Sequence, residues 1–227
     1  MGSGNDPHTL GDTQREHWDA VLAAKPALFG AAPSAAARAA LQVFTQEGGG
    51  VKKLLELGAG QGRDTLFFAQ HGLHATALDY SRAGLETLSK RADSLGLSRW
   101  IQPLCHDVRA PLPFADEAFD ACYAHMLFCM ALETEELERL CGEVRRVLRT
   151  GGLHIFTVRT TDDPQYGAGV QRGADMYEVA GGFVVHFFSE ATVGLLARGY
   201  ELLALDRFDE GSLPRKLFRV TLRKKPA

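Results

Sequence analysis

The chain predicts a doubly wound α/β fold: a mostly parallel sheet with helices on both faces, an antiparallel strand pair at its C-terminal end, and helices in front. Three observations carry this. Short apolar runs of strand length alternate with helix-period segments from residue 53 to residue 158, a pattern that implies parallel strands joined by helical crossovers. A glycine-rich turn, Gly58-Ala-Gly-Gln-Gly62, follows the first run without a break and opens a helical segment. The last two strand-like segments, 200–208 and 215–223, lie close enough in sequence to pair antiparallel.

In order, a helix over 12–24 places Trp18, Val21 and Leu22 on one side and stops at Pro26. A second starts at Ser34 and ends at the Gly48-Gly49-Gly50 break. Leu54, Leu55 and Leu57 make 53–57 a strand buried on both faces. A helix over 62–71, a strand over 74–79, a helix over 82–95 and strands over 100–105 and 119–124 follow. Leu137, Leu140, Cys141, Val144, Val147 and Leu148 mark a helix over 135–148 by their spacing. After a strand over 153–158 comes a long connection, 160–188, then a helix over 189–198 and the final pair. The expected sheet therefore has seven strands. Residues 1–50 form a tail and cap helices, and 51–227 form the main domain, with 160–188 as a substrate loop.

Composition excludes several function classes. At 227 residues and a net charge of −3 the chain suits one domain and has no basic footprint, so no nucleic-acid partner is expected. No apolar run reaches membrane-spanning length and the start is polar, which points to a cytoplasmic protein without a membrane partner. Cys105, Cys122, Cys129 and Cys141 form no CxxC pair and read as reduced, mostly core thiols, and no metal site is expected. Oligomeric state is not readable.

In open α/β sheets the ligand sits beyond the carboxyl ends of the strands, so the residues after each strand carry the chemistry. The glycine turn brings bare backbone to a ligand. Glu56, at the end of the first strand, would repel a pyrophosphate and attract an ammonium group. Arg63 stands where a dinucleotide fingerprint needs a small residue, and a P-loop lysine is absent. Asp79, after the second strand, is placed for bidentate hydrogen bonds to two ribose hydroxyls, with Tyr80 beside it to lie against a base. Asp107, after the third strand, can accept from an exocyclic amine. The three acids together describe a ligand with an amino group, a ribose and an adenine, and without phosphates.

Through Glu56-Leu-Gly-Ala-Gly-Gln-Gly62, Ala77-Leu-Asp-Tyr-Ser81, His106-Asp-Val108 and Leu148-Arg-Thr-Gly-Gly-Leu153, the chain resembles the class I S-adenosylmethionine (SAM)-dependent methyltransferases, over about residues 51–156. The resemblance implies a Rossmann-like sheet, SAM as cofactor, and Glu56, Gly58, Ala59, Gly60, Gly62, Asp79, Tyr80, Asp107 and Val108 as its contacts. A weaker likeness, through Leu28-Phe-Gly-Ala-Ala-Pro-Ser34 and Gly62-Arg-Asp64, is to the small-molecule, tellurite-resistance-type branch. The expected activity is methyl transfer to a small molecule, mainly by alignment and proximity. His125 and His186 are the candidate bases, Arg159 a candidate for orienting an anionic substrate, and Trp18, Tyr123, Tyr166 and Phe187 candidate pocket walls. Competing readings are a dinucleotide-dependent oxidoreductase and a non-catalytic SAM-binding module.

Overall fold

The computed structural model describes residues 7–25, 27–46, 50–211 and 215–226. Pro26, Gly48 and Gly49, expected as helix stops, lie outside the described residues. Helices α1 (Pro7–Ala24) and α2 (Ala35–Gln46) precede strand β1 (Lys53–Leu57), helix α3 (Arg63–Gln70), β2 (His74–Asp79), α4 (Arg82–Ser94), β3 (Ile101–Cys105) and β4 (Phe119–His125). Next come α5 (Thr134–Val147), β5 (Leu148–Thr160), the short strands β6 (Val170–Gly173), β7 (Met176–Glu178) and β8 (Val184–Phe188), helix α6 (Glu190–Leu196), and the pair β9 (Tyr200–Glu210) and β10 (Arg215–Lys224).

The sheet runs β3-β2-β1-β4-β5, with these five strands parallel. Strand β10 joins β5 antiparallel and β9 continues beyond it. All seven expected strands are present, and β5 begins five residues earlier than its expected start at 153. The segment 160–188 is more ordered than a loop: β6, β7 and β8 form an antiparallel ribbon, and β8 extends the end of β5 in parallel through Arg159 to Phe187. Strand order reverses between β1 and β4, which opens the ligand crevice there.

Period-two alternation sorts the strand residues between two faces. Leu54, Tyr123 and Ile155 pack with Ala36, Ala40, Phe44 and Phe68 of α2 and α3. Leu55, Leu57, Cys122 and Phe156 pack with Leu137, Leu140 and Val144 of α5 and Val193 and Leu196 of α6. Capping chemistry sets the helix starts. Ser81 accepts from the Gly84 amide at 3.0 Å, and Glu133 with Glu136 forms a capping box at α5, whose last turn carries Arg145 and Arg146 toward the negative end of the dipole. The cysteines are free, and Cys122, Cys129 and Cys141 are buried. Cys105 is exposed, against the core position expected of it, at the end of β3, the edge strand of the sheet.

Candidate active site

The turn after β1 is tied to β2. The Gly58 and Ala59 amides donate to the Leu78 carbonyl at 2.8 and 3.1 Å, and the Gly60 amide donates to the Asp79 carboxylate at 2.8 Å. Its glycines differ in their surroundings. A Cβ at Gly62 (φ +78) would stand 2.1 Å from the Leu88 side chain, and one at Gly58 (φ +73) 3.0 Å from Leu127. At Gly60 (φ +53) a Cβ would meet nothing within 4 Å. Packing thus requires glycine at the two ends of the turn, while the middle offers open backbone.

Two carboxylates bracket this opening. Asp79 is 8% exposed and accepts from Gly60 and, at 2.7 Å, from the Ser81 amide. Burial raises its carboxyl above the usual range, against the pull of those backbone bonds. Glu56 is 3% exposed and accepts from the Thr65 hydroxyl at 2.6 Å. Burial, reinforced by the Asp64 carboxylate, pushes it well above the ordinary carboxylate range. Among the described residues no basic side chain hydrogen-bonds to either acid.

At the end of β3, Asp107 is held by Arg109, whose Nε reaches both carboxylate oxygens at 3.1 Å. Burial raises the Asp107 carboxyl, but the hydrogen bonds and charge of Arg109 outweigh it and hold it below its ordinary value. Arg109 also reaches Asp12 of α1 at 2.7 Å. This belongs to a wider pattern. Gln61 of the glycine turn donates to the Leu22 and Lys25 carbonyls at 2.9 and 2.6 Å, capping the end of α1. Ser81, after β2, donates to Asp19 at 2.5 Å. Gln14 bridges the Gly182 carbonyl and the Val184 amide, at 2.8 and 3.0 Å. Helix α1 is therefore a roof fastened to the strand ends around the crevice. The cleft beneath is lined by Trp18, Tyr80, Asp107, Val108, Leu127 and Met130, with the Trp18 ring tilted against that of Phe183 at 4.5 Å.

Residues 54–152 match the model of a family described as "Methyltransferase domain". Over this stretch the chain is similar to methyltransferase domains. A phosphoethanolamine N-methyltransferase from Triticum aestivum is 35% identical over 108 residues, covering 46% of this chain and 20% of that protein. The stretch shared with the curated relatives is 20–37% of their own length. Among solved structures, the 1,6-didemethyltoxoflavin-N1-methyltransferase of Burkholderia thailandensis, with S-adenosylhomocysteine bound, aligns at TM-score 0.77 and 18% identity over 100% of this chain and 93% of that one. TehB from Haemophilus influenzae aligns at TM-score 0.64 and 17% identity over 83% of this chain and 61% of that one. At these identities the structural likeness is one of fold.

The site fits SAM by the chemistry of its donor set: open backbone at Gly60 and buried acids without a basic partner suit a ligand that brings an ammonium group and hydroxyls. The glycines of this turn give a test. Gly62→Ala is expected to cost about 2–4 kcal/mol of stability, from left-handed backbone and overpacking against Leu88. Gly60→Ala is expected to cost only about 1–2 kcal/mol of stability and to weaken SAM binding by at least about tenfold. Urea denaturation and calorimetry separate the two; equal stability losses with equal SAM affinities would contradict the assignment of the open side.

On the acceptor side the structure corrects several expectations. Tyr123 is fully buried on the α3 face, its hydroxyl 3.1 Å from Asp64 and 3.2 Å from Ser34, so it holds α2 to α3 and is not a pocket wall. Phe187 is likewise fully buried, under the Arg159 guanidinium at 5.1 Å. Arg159 is 3% exposed and its guanidinium is occupied by Asp163 and by Gln165, which leaves it no role in orienting an anion. Tyr166 is partly exposed and donates to Asp175 at 2.7 Å. Trp18 lines the cleft. His186 is buried beneath the loop after β4, with Nδ1 donating to the Leu132 carbonyl at 2.8 Å; burial pulls it below its ordinary pKa, so it is neutral and Nε2 is its acceptor nitrogen. His125 has both nitrogens engaged, Nδ1 with Thr157 at 2.8 Å and Nε2 with Glu210 at 3.4 Å, which removes it as a free base. The sequence reading missed Gln14, Gln61, Arg109 and Glu210, all of which act across long sequence separations.

Proposed function

We propose that this protein transfers the methyl group of SAM to a small-molecule acceptor. The observation that carries the reading is the pairing of an open glycine turn with two buried acids, Glu56 and Asp79, at the carboxyl ends of adjacent parallel strands. In this reading Asp79 accepts from the ribose hydroxyls, Glu56 faces the ammonium group, and Tyr80, Asp107 and Val108 hold the base. Bound SAM supplies a methyl group made electrophilic by its sulfonium. The chain's own task is alignment and exclusion of water, for which the α1 roof and the 160–188 ribbon are suited. A roof fastened beyond the ends of β1, β2 and β3 favours a small acceptor over a polymer. His186 is the candidate proton acceptor for a nucleophile that must lose a proton.

Calorimetry with SAM and S-adenosylhomocysteine tests the reading: binding of neither by folded protein would sink it. Glu56 adds a signature. An ammonium group favours the ionised carboxylate, so a raised Glu56 gives up a proton on binding, and the measured enthalpy is expected to vary with the ionisation enthalpy of the buffer. Affinity should rise with pH through the raised Glu56 pKa. The same acid burdens the fold. Its native pKa lies above the unfolded one, so its contribution to stability falls as pH rises between the two. Glu56→Gln is therefore expected to raise Tm at about pH 8, where each kcal/mol is about 2–4 °C for a chain of this size, while SAM affinity and the buffer dependence are lost. A lowered Tm with intact SAM affinity would contradict both parts.

A further inference from the structure

We propose that Glu210, at the end of β9, is the anionic anchor of the acceptor subsite and that the acceptor is a nitrogen nucleophile, an amine or an N–H heterocycle. The inference rests on the methyl-transfer reading above.

Strand register places the group. Leu57 of β1 pairs with Ala124 of β4, so the next residues, Gly58 and His125, stand at one level of the sheet, where the cofactor turn begins. Thr157 of β5 is His125's register partner; its hydroxyl oxygen lies 2.8 Å from Nδ1 and accepts from the Met126 amide at 3.0 Å. Met126, between His125 and the cleft residue Leu127, has φ +65, a left-handed backbone that a side chain of this size adopts only where its surroundings enforce it. Such enforced geometry fixes the imidazole, and the imidazole in turn fixes Glu210, whose Oε2 lies 3.4 Å from Nε2.

The Thr157–His125–Glu210 chain has one open end. The Glu210 side chain is 23% exposed and that of His125 12%. Burial raises the Glu210 carboxyl, but His125, then Arg63 and Arg215, outweigh it and keep it below its usual value. Among the described residues these charged groups act on it most. Nε2 therefore carries a hydrogen toward the carboxylate, and the histidine acts as holder. A carboxylate so held is a weak base but a good counter-charge and hydrogen-bond acceptor. It offers a hydrogen-bond acceptor to an N–H donor.

The step balances on an uncharged nitrogen. Its lone pair forms the N–C bond as the C–S bond breaks, the sulfur keeps that electron pair as neutral S-adenosylhomocysteine, and the positive charge passes to the methylated nitrogen. One N–H proton then leaves to water.

The test is transfer of labelled methyl from SAM to a panel of small primary and secondary amines and N–H heterocycles, run beside phenols, thiols and carboxylic acids. Label is expected in nitrogen acceptors. Glu210→Gln is expected to raise KM for the labelled amine by about 10- to 100-fold, with a smaller change in kcat and SAM affinity within about twofold of wild type. Glu210→Asp should recover part of the KM, which a loss of folding would not allow. Label only in the other classes, no label at all by protein that binds SAM, or an unchanged KM in Glu210→Gln would overturn the proposal. Lost SAM affinity in that variant would instead assign Glu210 to the ammonium end of the cofactor and overturn it too. Failure of the wild-type protein to bind SAM is a separate result, and it removes the methyl-transfer reading itself.

Discussion

Asp79→Ala is expected to lower SAM affinity by at least about 100-fold, two charge-assisted hydrogen bonds at about 1.5 kcal/mol each against 1.4 kcal/mol per factor of ten. Two causes act together. The variant removes the acceptor for the ribose hydroxyls, and it releases the Gly60 and Ser81 amides that the carboxylate holds at 2.8 and 2.7 Å. The second cause also destabilises the fold, because those amides lose their partner. A melting temperature several degrees lower, with a cooperative transition retained, is the expected companion result. Because burial already raises the Asp79 carboxyl, loss of its charge does not itself cost the fold. Calorimetry and thermal denaturation of one preparation measure both effects. Wild-type affinity in a folded variant would remove Asp79 from the cofactor site.

Asp79 was legible because its place follows from local rules. Strands β1 and β2 match the sequence reading residue for residue, since the glycine turn closes one and Asp79-Tyr-Ser81 closes the other with a helix cap. Their ends are where a parallel sheet puts ligands. The roof was not legible. Its contacts join Gln61 to Leu22 and Arg109 to Asp12, pairs that only the folded chain brings together. The same holds for Glu210, 210 − 125 = 85 residues beyond His125 and delivered by the β9–β10 hairpin.

Other misplacements had a signal. Alternation along β4 sends Ala121, Tyr123 and His125 to the face where α2 and α3 pack, so Tyr123 could have been assigned to the core from period two alone. Val184-Val-His-Phe-Phe188 is apolar but for His186, fully buried as β8, and carries the composition of an interior strand. The exposed ribbon strand β6, Val-Gln-Arg-Gly, carries none, and no local rule separates it from a loop.

His154 is expected to make the protein acid-sensitive, and His154→Leu to remove that sensitivity. The ring sits on β5 with no exposure, among Phe128, Phe156 and Tyr200 at 5.4, 4.9 and 5.9 Å. Neither nitrogen has a hydrogen-bond partner. Burial alone lowers its pKa from 6.5 to about 3. The unfolded chain takes up this proton near pH 6.5 and the native chain only near pH 3, so stability falls as pH drops through that window, at up to about 1.4 kcal/mol per unit. Between about pH 7.5 and pH 4.5 the wild type should lose about 2–3 kcal/mol more than His154→Leu. At neutral pH the variant should already be more stable, because each unsatisfied buried polar group costs about 1–3 kcal/mol. Leucine fills much of the same volume without polar atoms, and the double difference across pH cancels titrations common to both proteins. Urea denaturation of the two at both pH values gives that difference. Parallel stability profiles would show that the native state admits water or a proton to His154, and would remove it as a source of acid lability.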